Sequence, residues 1–348
     1  MKKLSEKRKI AILGFGGTLS MTPDKETGAL KPTRSIEEIL ALVPSLSEKA
    51  NVIFEGLEKR DSTNIYPPHW TSLAYYIQKI HDEVDAVIIT HGTDTMAYNA
   101  SALSLALGPG LKIPIVFTGA QLPLADFGTD ARFNLENSMK VVLQACEEKI
   151  AEVMIVFSDR VLRGNRAIKT SESKFPAFDS PAFPHLAIID ATGVHFIPNT
   201  RKADPKIPLE IKPHFQRGIL TIEVVPGLEP DIIREILKSG KCQGLLLKSL
   251  GAGNIPSKDD YTLIPVILEA INIYKIPVLV STKFVGGRTR MDMYEPGKQA
   301  LEAGAIPTGD MTDVMAQVKF MWALAQGYKK PEELNKIINT DIVGEITV

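Results

Sequence analysis

Four short stretches of the chain carry residue types that do chemistry on small polar molecules. The first, "KIAILGFGGTLSM" (9–21), runs an apolar strand into Gly16-Gly17 and then the hydroxyls of Thr18 and Ser20. Such a turn either cradles a phosphate with backbone N–H groups or aims one side chain from the strand's carboxyl end. The phosphate readings fail on spacing. A dinucleotide fingerprint needs a third glycine where this chain has Leu19, and a P-loop needs a lysine that does not follow. What remains is a tight turn that projects Thr18, either as a cap or as a nucleophile.

The second stretch, "ITHGTDTMAYNAS" (89–101), carries another apolar strand into a hydroxyl-rich turn at the head of a helix over 95–107. Thr93 and Asp94 fall at that strand's carboxyl end. An aspartate at a helix start is commonly a cap worth about 1 kcal/mol. Two strand ends that present threonines and a carboxylate to one crevice are more than a cap. His91 has no second histidine at metal-ligand spacing and reads as a structural imidazole. The third stretch, "RVLRGNRAIKTSES" (160–173), holds Lys169. This lysine either reaches solvent or, desolvated beside Thr93 and Asp94, readies a hydroxyl to lose its proton. The fourth, "EKRDSTNI" (58–65), puts Asp61, Ser62 and Thr63 after a strand over 51–57. They fit a zwitterionic ligand or an ordinary turn.

The elements that must position these residues follow from the apolar pattern. "IAILG", "AVIIT" (86–90), "IPIVFTG" (113–119) and "EVMIVF" (152–157) are continuously apolar, as parallel strands covered on both faces are. Helix-period segments at 70–82, 97–107 and 133–149 alternate with them. The fold class is α/β, with a larger N-terminal doubly wound, parallel-rich sheet (1–200) whose ligand site lies at the strands' carboxyl edge. The stretch 198–215 carries four prolines and loses periodicity, which makes 201–215 the expected linker. A smaller C-terminal α/β domain with a parallel sheet (216–348) follows, with helices over 230–238, 260–274, 296–303, 312–326 and 331–339.

Composition narrows the partner. The chain has 348 residues, 44% hydrophobic and 23% charged, and 40 basic residues balance 41 acidic ones for a net charge of -1. That balance gives no electrostatic footprint for nucleic acid or an anionic membrane, so the expected partner is a small molecule. Cys146, in a helical stretch, and Cys242, in a buried-strand stretch, read as two reduced thiols. The charged start "MKKLSEKRKI" is followed by no apolar core of a signal peptide, and no apolar run reaches ~18 residues. The expectation is a cytoplasmic protein.

Taken in order, "GGTLSM", "HGTDTMAYNASALS", "FTGAQLPLADFGTDARFNL", "RGNRAIK", "GAGNIP" and "GDMT" resemble the landmarks of type I L-asparaginases, over nearly the whole chain. The HGTDTM block is highly specific. The resemblance implies hydrolysis of L-asparagine to L-aspartate and ammonia, with no metal and no cofactor. It implies Thr18 as the nucleophile that forms a β-aspartyl ester, and Thr93, Asp94 and Lys169 as the set that polarises hydroxyl or water. It further implies Asp61, Ser62 and Thr63 at the substrate α-carboxylate, Asp94 also at the α-ammonium, and Ala120 and Gln121 near the amide. Asn254 resembles a residue contributed by a neighbouring subunit, so a homodimer or dimer of dimers is implied. The archaeal tRNA-dependent amidotransferase subunit that shares the HGTDTM block usually has a further domain ahead of the strand that runs into the GGT turn, where this chain has about eight residues. A non-catalytic amino-acid-binding protein of the same fold is the third reading.

One departure stands out. Many members of the family have a tyrosine in the lid that follows the nucleophile; here Ala29 follows Gly28, and no tyrosine occurs between residues 1 and 65. The stretch 19–33, rich in Pro, Gly, Thr and charge, is the expected lid.

Overall fold

A computed structural model describes residues 7–17 and 41–347, and the backbone alone of 21–23 and 30–32. Two compact units divide the chain. The first holds the N-terminal residues through Ser180 together with Pro184–Pro213, and the second holds Pro181–Phe183 with the residues from His214.

In the first unit, β1 (Lys9–Phe15) forms the centre of a parallel set. It lies between β4 (Asn51–Glu58) and β5 (Ala86–His91), followed outward by β6 (Ile115–Thr118) and β7 (Val153–Phe157). All six residues of β5, four of β6 and five of β7 are buried, which a strand achieves only when helices cover both faces. Helices Pro67–Ile80 and Met96–Leu107 pack on each other, and helix Ala131–Glu147 packs on β5, β6 and β7. The short strands β2 (Met21–Pro23) and β3 (Leu30–Pro32) pair antiparallel.

The apolar run at 113–119 is shorter as a strand because Pro114 has no N–H for the ladder; its carbonyl still accepts from Val87 N–H at 3.1 Å. The sheet continues beyond the parallel set in a way its sequence does not advertise. β8 (Arg160–Arg163), β11 (Ala187–Asp190) and β12 (Gly193–Phe196) extend it antiparallel to an order β12-β11-β8-β7-β6-β5-β1-β4. Between them, β9 (Ile168–Lys169) and β10 (Phe178–Asp179) pair antiparallel as a separate hairpin. These strands are short and mix charge with apolar residues, so neither a period of two nor a continuous apolar run is visible in them. The proline-rich stretch after Thr200 lies along this unit: Lys212 N–H donates to Ala106 O (2.7 Å) and Thr71 Oγ1 to Pro213 O (2.6 Å).

The second unit is a parallel sheet of β13 (Ile219–Glu223), β14 (Gly244–Ser249), β15 (Val278–Thr282) and β16 (Ile306–Pro307), in that order. Leu245, Leu247, Val278 and Val280 meet Ile233, Leu237, Val266 and Ile267 from the crossover helices Pro230–Lys238 and Ile264–Asn272. A proline in the first turn starts both of these helices, Pro265 placing the second later than periodicity alone suggests. Helix Asp313–Ala325 packs on β13, β14 and β15. Its Phe320 approaches so closely that a Cβ on Gly244 would fall 2.5 Å from the ring. Cys242 is buried but precedes β14 rather than lying in it, and Cys146 is in helix Ala131–Glu147; neither is disulfide-bonded.

Candidate active site

Parallel pairing brings the carboxyl ends of β1, β4, β5 and β6 to one edge, and the glycines let the loops beyond them touch. Gly16 and Gly17 have φ of +77° and +97°, a region that disfavours side chains. A Cβ on Gly16 would lie 2.0 Å from the Arg60 carbonyl oxygen, and one on Gly17 would lie 2.3 Å from Gly92 N. A Cβ on Gly92 would sit 2.6 Å from the Ser62 hydroxyl. The turns after β1, β4 and β5 are therefore stacked backbone on backbone. Thr18, the next residue after this stack, lies outside the described residues, as do residues 24–29 with Ala29.

β5 ends at His91, and Thr93 and Asp94 occupy the turn before helix Met96–Leu107. Lys169, in β9, reaches this turn: its Nζ donates to Thr93 Oγ1 at 2.8 Å and to Asp94 Oδ1 at 2.6 Å. Thr93 is buried, the Lys169 side chain is 18% exposed and that of Asp94 55% exposed. The carboxylate holds the ammonium, and the ammonium occupies a lone pair of the threonine oxygen. A cation in that position stabilises a developing oxyanion on a hydroxyl or water.

Asp61 caps a 3₁₀ turn over Ser62–Asn64 beside this pair. The Asp61 carboxylate accepts from Thr63 N–H (2.8 Å) and Thr63 Oγ1 (2.7 Å), and Thr95 Oγ1 donates to Ser62 O (2.8 Å). Ser62 is buried against Gly92. After β6, Gly119 packs on the His91 carbonyl and Ala120 is buried. Gln121 N–H donates to Asp130, and its side-chain amide donates to Lys174 O at 3.0 Å. Asn254 belongs to the second unit. It closes a turn beyond β14, its N–H donating to Leu250 O at 2.8 Å.

His91 is held as a buried imidazole. Its ring is wholly buried, stacked on Phe15 (5.7 Å) and edge-on to Phe117 (5.9 Å). Burial pushes its pKa down to about 4. The neutral ring shares a proton with Gly92 O (Nδ1, 2.6 Å) and accepts at Nε2 from the Asn99 amide. Asn99, a buried amide on a helix whose other buried residues are apolar apart from Ser101 and Ser104, is a residue the sequence reading misses; its long polar side chain in that company is the available signal. Among the described residues no three His, Cys, Asp or Glu side chains are arranged to hold a metal. Nor is any described helix long and apolar enough to cross a membrane.

Residues 9–202 match the family model "Asparaginase, N-terminal", and residues 219–338 match "Glutaminase/Asparaginase C-terminal domain". The chain belongs to the asparaginase family. It is 33% identical over 342 residues to an L-asparaginase of Thermococcus kodakarensis, covering 97% of this chain and 99% of that protein. A solved structure of the thermostable L-asparaginase from that organism superimposes with a TM-score of 0.88, covering 98% of this chain and 99% of that one. A glutamyl-tRNA(Gln) amidotransferase subunit of Methanothermobacter thermautotrophicus is 32% identical over 345 residues, which are 97% of this chain and 76% of that protein. The crystal structure of a probable cytoplasmic L-asparaginase from Campylobacter jejuni gives a TM-score of 0.81 at 26% identity, covering 96% of this chain and 100% of that one. Both family models fall on stretches that carry the asparaginase landmarks.

Proposed function

We propose that this protein is a cytoplasmic L-asparaginase that hydrolyses L-asparagine to L-aspartate and ammonia through a threonine ester. The observation that carries this reading is the bonding of Lys169 to both Thr93 and Asp94, in a chain of the asparaginase family. Thr18 Oγ attacks the side-chain carboxamide carbon, a C–O bond forms, and the tetrahedral oxyanion collapses with cleavage of the C–N bond. The hydroxyl proton ends on the departing ammonia. Water polarised by Thr93 and Lys169 then attacks the ester, releasing aspartate and restoring Thr18.

Lys169 engages Oδ1 of Asp94, which leaves Oδ2 to receive the substrate ammonium. The Asp61–Thr63 turn beside it would receive the α-carboxylate. Since Gln121 N–H points to Asp130, the trans peptide aims the Ala120 carbonyl the opposite way, where a carboxamide N–H can donate to it. Asn254 would complete the site from a second subunit, which makes the working form a homodimer or a dimer of dimers.

Ammonia release from L-asparagine and L-glutamine, by the wild type and by Thr18→Ala, tests the reading. No release from either amide would sink it, whereas an active Thr18→Ala would remove only the nucleophile assignment. The similarity to the amidotransferase protein favours one second reading, an amide-hydrolysing component of such an assembly. Release from free asparagine by this chain alone opposes it; release only when glutamyl-tRNA(Gln) and partner subunits are added supports it. Calorimetric binding of asparagine without ammonia release would mark a binding protein.

A further inference from the structure

We propose that Asp130 is a positioning residue for Lys169, acting through Gln121 and the β9–β10 hairpin; the inference deepens the amidohydrolase reading and rests on it. Asp130 directly precedes helix Ala131–Glu147, where an aspartate ordinarily caps the helix, yet its side chain makes no capping bond. Its carboxylate is turned onto the loop after β6 instead. It accepts from Gln121 N–H at 3.0 and 3.1 Å, from Leu122 N–H at 3.1 Å and from Asn134 Nδ2 at 3.1 Å.

Asn134, fully buried, completes the clasp. Its Nδ2 also donates to Gly119 O (2.9 Å), and its Oδ1 accepts from Ser158 N–H (2.9 Å). Residues 119–122 are thus held from both ends by two side chains one helical turn apart. A charged acceptor suits this place, because converging N–H donors favour an anion over an amide.

The clasp fixes where the Gln121 side chain starts, and that side chain reaches Lys174 O in the tip of the hairpin. The tip is ordered within itself: Lys174 N–H and Ser173 N–H both donate to Ser171 Oγ, at 3.0 and 3.2 Å. Thr170 N–H then donates to Ala177 O at 2.8 Å. Lys169 is the next residue, opposite Phe178, whose buried ring packs on Phe157 at 5.1 Å. Packing anchors the base of the hairpin. Among the described residues, Gln121 supplies the hydrogen bond that ties its tip to the rest of the unit.

Lys169 must reach two acceptors at once, and displacements of about 1 Å in such an arrangement cost about 10²-fold in rate. The polar groups of Gln121 are accordingly assigned to scaffolding, its N–H on Asp130 and its amide on Lys174.

Amide hydrogen exchange and steady-state kinetics on Gln121→Met, Asp130→Asn and the double variant test this. Exchange at Thr170 and Ala177 should accelerate about tenfold in both single variants, with β5 and β6 amides unchanged. For L-asparagine, kcat should fall about 10–100-fold while KM stays within about threefold, and the double variant should be no worse than the poorer single one. Wild-type exchange in the hairpin of Gln121→Met overturns the proposal, as does faster exchange with kcat retained. A KM effect with an unchanged hairpin would make Gln121 a substrate contact instead, which also overturns it. If Asp130→Asn fails to fold, Asp130→Glu, which keeps the charge and displaces the carboxylate, replaces it, and wild-type hairpin exchange in that variant overturns the proposal. If the wild type releases no ammonia, the amidohydrolase reading fails on that result, and the exchange measurement still decides the tie.

Discussion

Gly17 and Gly92 lie back to back: a Cβ on Gly17 would fall 2.7 Å from Gly92 Cα, and one on Gly92 would fall 3.3 Å from Gly17 Cα. No rotamer relieves a clash between backbone atoms. Gly17→Ala therefore combines an unfavourable φ of +97° with a forced separation of the turns after β1 and β5. Gly108, at φ +63°, meets nothing within 4 Å and isolates the backbone term. In urea unfolding, Gly17→Ala should lose about 2 kcal/mol more than Gly108→Ala.

Replacing Lys169 by methionine keeps the stem and removes the ammonium. We expect kcat for asparagine to fall by about 10²–10⁴-fold with the melting temperature little changed. Lys169→Arg should not restore it, because a planar guanidinium cannot place one nitrogen 2.8 Å from Thr93 Oγ1 and 2.6 Å from Asp94 Oδ1 in the same way. Arginine activity within about threefold of wild type would rule out a point-like ammonium requirement.

His91 gives the fold an acid-sensitive element. Its pKa is lowered to about 4 by burial, against 6.5 in an exposed histidine, with the Gly92 hydrogen bond and the Asp61 charge opposing the shift. Between those values the unfolded chain binds a proton that the folded chain refuses. The contribution is complete above pH 6.5 and is lost as the pH falls toward 4, by about 3 kcal/mol in all. Denaturant midpoints of wild type and His91→Gln, measured from pH 7.5 to about 4.5, should converge with acidification. Parallel curves would contradict this.

Helix Asp313–Ala325 carries Lys319 with no exposure at all, paired with an equally buried Glu345 at 2.6 Å. All three ammonium protons are used, since Nζ also donates to Ile338 O (3.0 Å) and Thr340 O (2.6 Å). Burial alone would raise the Glu345 pKa, but the Lys319 charge and the N–H groups around it hold the carboxyl below its ordinary range. Its contribution is therefore present above the ordinary carboxylate pKa and lost as the pH falls through the depressed one. Lys319→Met leaves a buried carboxylate unpaired and should cost about 3–5 kcal/mol. Adding Glu345→Gln should recover part of this; a double variant as unstable as the single would show that the carboxylate is not the cause.

Both thiols should be inert in the native protein. Burial raises Cys146 to about 11 and raises Cys242 as well. Thiolate formation near neutral pH is thereby suppressed. Iodoacetamide should label neither within the time that labels both in urea, and fast native labelling of one would show that its burial is transient.

Much of the fold is legible in the sequence. Continuous apolar runs mark β5, β6 and β7 because a two-faced strand has no polar side to alternate with. The prolines at 230 and 331 mark helix starts because the first helical N–H has no partner to lose, whereas the helix that Pro265 starts begins at Ile264, four residues beyond the 260 that periodicity suggests. The strands β8 to β12 are invisible in the sequence, being short, mixed in polarity and defined by what they pair with. Asp130 looks like an ordinary residue ahead of a helix; only the path of the loop after β6 reveals that its carboxylate serves the loop.

The sequence by itself determined the kinds of residue at each strand end and the glycines that let those ends approach, and hence that they gather at one edge of the sheet. These are local consequences of sterics and periodicity. Tertiary structure decided which of the readings of Lys169 holds, bonding it to Thr93 and Asp94 across 76 and 75 residues rather than leaving it in solvent, and it alone paired Lys319 with Glu345 across 26. Such pairings depend on how the chain is routed through the sheets, and no spacing along the sequence encodes that route.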